Sequence, residues 1–187
     1  MKNLFKYKYL YTFLIIIATI GFISGYLYFK IQPENTKQEA LEMINIHDEL
    51  NNSVNNIPKR LKFISKTSIY SITIIPQIFN IFETFYKPFQ QGFIFNLLNQ
   101  YNLKLSFFYN LIYNFIPLIF YLVLIRISIS VSTNIISYII FKEIKKINIL
   151  KKLIKKYFLI STFLIFYEFI IMIFSTNINA YLMTLIT

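Results

Sequence analysis

FKEIKKINILKKLIKKY, residues Phe141–Tyr157, sets seven lysines (142, 145, 146, 151, 152, 155 and 156) against a single acid, Glu143. Ile144, Ile147, Leu150 and Ile154 recur close to helical period, so a helix built here has an apolar face and a lysine-rich face. Long runs almost free of charge lie on both sides. A basic amphipathic helix between two hydrophobic runs is the pattern of a cytoplasmic membrane-surface segment. On one reading Lys145, Lys146, Lys151, Lys152, Lys155 and Lys156 bind anionic lipid head groups, each contributing ~1 kcal/mol. On the other they hold the segment in the cytosol and do nothing more. Both readings fix the same geometry, and the orientation of every neighbouring helix follows from it.

The whole composition agrees. Of 187 residues, 56% are hydrophobic and only 14% charged, where a soluble domain carries nearer ~25% charged residues. The mean hydropathy is +0.55. The net charge of +11 would suggest nucleic acid in a soluble chain. Here the lysines cluster beside apolar runs, so the positive-inside rule accounts for them and no nucleic-acid partner is expected. Without cysteine there is neither a disulfide nor a thiolate metal site, and a lone histidine, His47, makes no His-rich site. Nucleophilic triads and zinc-hydrolase motifs are absent as well, which leaves no catalytic constellation, metal or cofactor to assign.

Three lysines (2, 6 and 8) precede an apolar run at 10–29 that is long enough to cross a ~30 Å hydrocarbon core. The run is read as an uncleaved anchor. Its Gly21 and Gly25 form G-x-x-x-G, the spacing that lets two helix backbones approach closely. Residues 31–60 form a hydrophilic loop holding five of the eight acids, and an amphipathic helix over 34–57 is expected on the outer side. Further spans are predicted at 63–82, 105–125, 127–141 and 157–174, the third and fourth joined by a turn at Arg126. Four crossings then return the chain to the side of Lys2, and the lysine-rich helix 142–156 leads into the fifth. Between Glu83 and Lys104 the apolar part is too short to span. It reads as a half-span over 88–103, buried by protein because irregular backbone at membrane depth must be covered. Pro76 and Pro117 lie inside spans and are expected to kink them. Asn110 and Asn114, four residues apart, share a helix face and can hydrogen-bond across helices. Glu168 falls near mid-depth of the last span, where an ionised carboxylate costs ~2.5–3.5 kcal/mol. It must pair, hydrogen-bond or stay protonated. The two readings are a coupling or proton site and a structural hydrogen bond to Asn or Tyr of a neighbouring span.

Gly21-Phe-Ile-Ser-Gly25 in the anchor, Gln91-Gly92-Phe-Ile-Phe in the half-span, Phe115-Ile-Pro117 in the third span and Tyr167-Glu168-Phe169 in the last occur in this order. The order of parts resembles the stage II sporulation protein M family. The half-span keeps one glycine, Gly92, where that family usually has more, and no proline follows Glu168. The resemblance implies close helix packing at Gly21, Gly25, Gly92 and Pro117. It also implies a non-enzymatic membrane scaffold for the single-pass cell-wall hydrolases called stage II sporulation proteins D and P, which drive forespore engulfment.

The sequence therefore predicts an all-α, polytopic membrane protein in one integral domain, with five spans, a half-span and an outer amphipathic helix. Its place is a bacterial cell membrane, with the N-terminus in the cytoplasm and the C-terminus outside. Its expected partners are membrane lipids and wall hydrolases. The rival reading is a transporter or permease subunit with a polar site near the midplane formed by Glu168, Asn110 and Asn114.

Overall fold

A computed structural model describes residues 2–43, 56–73, 75–141 and 145–185. Among these the chain is helical, with no strand: α1 (Lys2–Ile31), α2 (Glu34–Met43), α3 (Ile57–Tyr70), α4 (Gln77–Asn99), α5 (Leu103–Asn110), a π-helical turn (Leu111–Phe115), α6 (Ile116–Phe141) and α7 (Lys145–Met183). Three helical stretches are long and apolar enough to cross a membrane: Tyr9–Ile31, Leu103–Ile140 and Ile147–Met183.

The five expected spans therefore reduce to three. The run at 63–82 is interrupted: α3 ends at Tyr70 and α4 starts at Gln77, after turns at residues 71–72 and 75–76. Pro76 stands at the N-cap of α4 instead of kinking a span, because a proline there loses no helical hydrogen bond. Of the half-span at 88–103, residues 88–99 belong to α4, a helix of 23 residues with Pro88 inside it, and the rest is the turn into α5. The runs at 105–125 and 127–141 form one helical stretch with no turn at Arg126, whose guanidinium lies 5.5 Å from the centre of the Tyr11 ring. Its polar residues need no loop, since Ser128, Ser130, Ser132 and Asn134 are buried in the bundle. From Lys145 the lysine-rich segment is continuous with the last span inside α7, and residues 142–144 lie outside the described residues. Leu150 and Leu153 pack on the core while Ile154 is exposed, so the inward stripe departs by one residue from the expected one. The outer helix is described as far as Met43. Its continuation through Ile44, His47, Leu50 and Val54 lies outside the described residues.

Two clusters form the core. One joins Leu14 and Ala18 of α1, Phe63 of α3, Leu124 and Ile125 of α6 and Tyr157 and Leu164 of α7, with Leu10, Tyr11, Leu150 and Leu153 at its edge. The start of α1 and the lysine-rich start of α7 thus share one end of the bundle. The second cluster, at the other end, gathers Phe29, Leu97, Leu98, Leu105, Tyr109 and Leu182. Opposite α5 and α6, α7 runs antiparallel: Phe108 of α5 meets Tyr181, and Phe120 of α6 meets Tyr167. Outside the core the long helices stay apolar. Phe13, Ile16, Ile20 and Ile23 of α1 and Phe158, Phe163, Phe166 and Phe169 of α7 are exposed. A contiguous apolar surface of this kind is unfit for water.

The pairing of α1 with α4 rests on glycine. Gly21 faces the backbone of Phe85 and Gly25 that of Phe89, so the two helices run parallel. A Cβ at Gly25 would lie 2.7 Å from the Phe89 carbonyl carbon, and one at Gly92 would lie 2.9 Å from Tyr26 N. Those contacts are with backbone, which cannot rotate away. Gly25→Ala therefore destabilises the protein in detergent by ~1–3 kcal/mol, the usual cost of over-packing. Ile23→Ala, at an exposed site two residues away, changes stability by less than ~0.5 kcal/mol. Thermal unfolding of the two variants measures the difference.

Candidate functional site

The polar centre of the bundle grows from a backbone defect. At the π-helical turn Ile116 N–H donates to Leu111 O, five residues back, so it bypasses Ile112 O. One residue later Pro117 has no N–H to give to Tyr113 O. Two carbonyls are thereby released in an apolar interior, where an unmet carbonyl is costly. Other elements supply the donors. Tyr167 OH of α7 donates to Ile112 O at 2.7 Å, and Arg60 Nη2 of α3 to Tyr113 O at 3.3 Å. Beside them Gln91 Nε2 of α4 donates to Asn114 O at 3.4 Å.

Arg60 brings a charge with it. Its Nε donates to Glu168 Oε1 at 2.5 Å, with the two side chains 12% and 3% exposed. Its Nη1 donates to the Tyr121 hydroxyl, and the guanidinium lies 5.0 Å from the centre of that ring. The planar fork of arginine suits this task, because three donors reach three acceptors in fixed directions. Arg60 stands in the first turn of α3, just after Pro58, so the helix starts level with the middle of α7. Asn56, the residue before it, is buried.

A second knot ties the far end of α3. The Thr67 and Tyr157 hydroxyls are 2.5 Å apart, and Ser128 Oγ donates to Thr67 O at 2.9 Å. Gln77 Nε2 reaches Ser128 Oγ at 3.2 Å, and Asn80 Nδ2 donates to Gln77 Oε1 at 2.7 Å. Beside this knot Lys66 donates to Glu83, a bond that holds the Lys66 ammonium above its ordinary range despite partial burial.

The residues singled out from sequence are distributed as follows. Glu168 is buried and joined to Arg60. Asn114 Nδ2 donates to Asn110 Oδ1 at 2.9 Å and Asn110 Nδ2 to Ser106 O at 2.9 Å, so these bonds run along the helix and not across to another. Pro117 borders the π-helical turn, while Gly21, Gly25 and Gly92 lie at the α1–α4 contact. Lys151, Lys152, Lys155 and Lys156 are exposed on α7, whose helix also includes Lys145 and Lys146. Arg60 escaped notice because it borders an apolar run and reads as a flanking charge. Tyr113 and Tyr121 look like ordinary aromatics of a span. Pro117 was the available signal, since a proline within a buried helix requires an outside donor for the carbonyl four residues back. Among the described residues no group of His, Cys, Asp and Glu could hold a metal ion.

Removing one partner of a buried ion pair strands the other charge, at a cost of ~3–5 kcal/mol. Arg60→Met and Glu168→Leu should each lower stability by that order. The double change should recover most of the Glu168→Leu loss yet stay below the parent protein, because Tyr113 O remains without its donor. Unfolding midpoints of the three variants in one detergent test this.

Comparison with protein-family models, with curated proteins and with solved structures finds no match for this chain.

Proposed function

We propose that this chain is a multi-pass scaffold of a bacterial cell membrane, with no chemistry of its own. The lysine-rich end lies in the cytosol with the N-terminus, and the C-terminus lies outside. Three crossings, like five, place the two termini on opposite sides. In line with the resemblance drawn from the sequence, its partners are single-pass cell-wall hydrolases, the stage II sporulation proteins D and P where the cell makes spores. Binding and positioning is the mechanism.

One observation carries the choice of a scaffold over a carrier. The charged groups at the centre of the bundle are taken: Glu168 is held by Arg60, and Arg60 also by Tyr121 and Tyr113 O, while Gln91 Oε1 and Ser161 Oγ stay buried without a hydrogen-bond partner among the described residues. A coupling site needs a charged group left over for the solute, and uncharged oxygens do not supply one. The docking surface is then the outer end, where α2 carries Glu34, Glu39 and Glu42 beside the ends of α4 and α7. The carrier reading keeps one observation in its favour. A π-helical turn and a helix that begins at mid-depth are features of membrane sites that move.

Affinity purification in mild detergent from cells undergoing wall remodelling should recover a single-pass hydrolase with the protein. Replacing Glu34, Glu39 and Glu42 by Lys should remove the hydrolase and leave the bundle intact. Recovery of the protein alone from such cells would refute the scaffold. A Glu168→Gln variant that assembles normally but loses uptake of a solute would establish the carrier.

A further inference from the structure

Glu83 and Lys87 stand one turn apart on α4 with the acid on the N-terminal side, the spacing and order at which the two residue types pair best on a helix. Yet they make no ion pair in the structure. Glu83 gives Oε1 to Lys66 of α3, and its Oε2 is buried with no hydrogen-bond partner among the described residues. Lys87 turns the other way. Its Nζ lies 4.1 Å from the centre of the Phe63 ring of α3 and 3.9 Å from that of the Tyr121 ring of α6.

Neither place satisfies every group. Between the rings the ammonium is attracted by two π faces, but rings accept none of its N–H bonds in ordinary geometry, and Glu83 Oε2 stays open. The Tyr121 ring also carries the Arg60 guanidinium, 5.0 Å from its centre, so two like charges share one ring. On Glu83 the lysine would leave that ring and complete the carboxylate, with Lys66 on one oxygen and Lys87 on the other. The faces of Phe63 and Tyr121 would then lose their cation. A change of rotamer in one long side chain separates the two places. They differ in what they tie together. Between the rings, Lys87 links α4 to both α3 and α6; on Glu83 it bonds within α4 and lets go of the other two. α3 is the helix that brings Arg60 to Glu168 and to Tyr113 O, so the position of Lys87 sets how firmly the polar centre is clasped.

We propose that Lys87 is the moving part of a two-position catch on α3, exchanging between the Phe63–Tyr121 cage and Glu83 Oε2. The catch depends neither on the partner nor on the outer docking surface. Nuclear magnetic resonance of the full chain in detergent, with isotope-labelled lysine, reads the exchange. The Lys87 signals are assigned by their absence from Lys87→Arg. Ring currents move the ε-methylene protons upfield in the cage, and rotamer exchange is fast, so the observed shift is weighted by the time spent there. Glu83→Gln removes the second place and should enlarge the upfield shift, about twofold where the two places are equally occupied. Lys66→Gln frees the whole carboxylate for Lys87 and should shrink the shift, with both rings left in place. Lys66 is partly exposed, so this variant should fold even where Glu83→Gln does not. A shift left unchanged by either folded variant would overturn the proposal, because Lys87 would then stay in one place. A parent protein with no upfield shift at Lys87 would overturn it as well.

Discussion

Pro117 and the π-helical turn before it impose the constraint on which the bundle depends. Between them they release Ile112 O and Tyr113 O from the helix ladder. In water such carbonyls would be solvated at once. In an apolar bundle each must find a donor, and the donors come from α7 and α3. An arginine sent to that depth needs an anion, so Glu168 follows from Arg60. One missing N–H thus links three elements. It also explains why so costly a residue as a mid-helix glutamate is kept: without it the donor for Tyr113 O would be a stranded charge.

The glycine contact between α1 and α4 is a separate device with a topological result. α4 is less apolar than the long helices and buries Gln77, Asn80, Gln91 and Asn96, so it depends on close partners. Gly21, Gly25 and Gly92 permit that closeness, and Asn96 Nδ2 donates to Tyr26 O at 2.9 Å across the contact. Because α1 and α4 run parallel, the chain must return along the bundle between them. α3 supplies the described part of that return, and its 14 residues are too few for a full crossing. A short helix entering at mid-depth is then the natural carrier for Arg60, whose guanidinium it delivers directly to the π-helical turn.

Much of this was legible in the sequence, and the misses have physical causes. The apolar run of α1, its glycine spacing and the isolated Glu168 are local signals, readable one helix at a time. The break at residues 71–76 was hidden because Ile72, Ile74 and Ile75 continue the apolar run across it, and only Pro76 marked the boundary. Conversely, Ser128, Ser130 and Asn134 made 127–141 read as a short, separate span. They are compatible with an unbroken helix because Thr67 O and the chain's own carbonyls accept from them. Partnership of that sort joins residues sixty or a hundred positions apart, as in Thr67 with Ser128 and Arg60 with Glu168. Periodicity in a single sequence carries no trace of it.

Helix length settles how the lysines of α7 are to be understood. The stretch Ile147–Met183 has 37 residues, ~55 Å at helical rise, against a hydrocarbon core of ~30 Å. The apolar part begins at Tyr157, so the excess lies at the lysine end, in line with the span. Lys145 and Lys146, ten residues before Lys155 and Lys156, lie ~15 Å from them along the helix. That exceeds the ~10 Å range of an exposed charge at physiological salt. Along one helix the six lysines therefore do not all lie at one level.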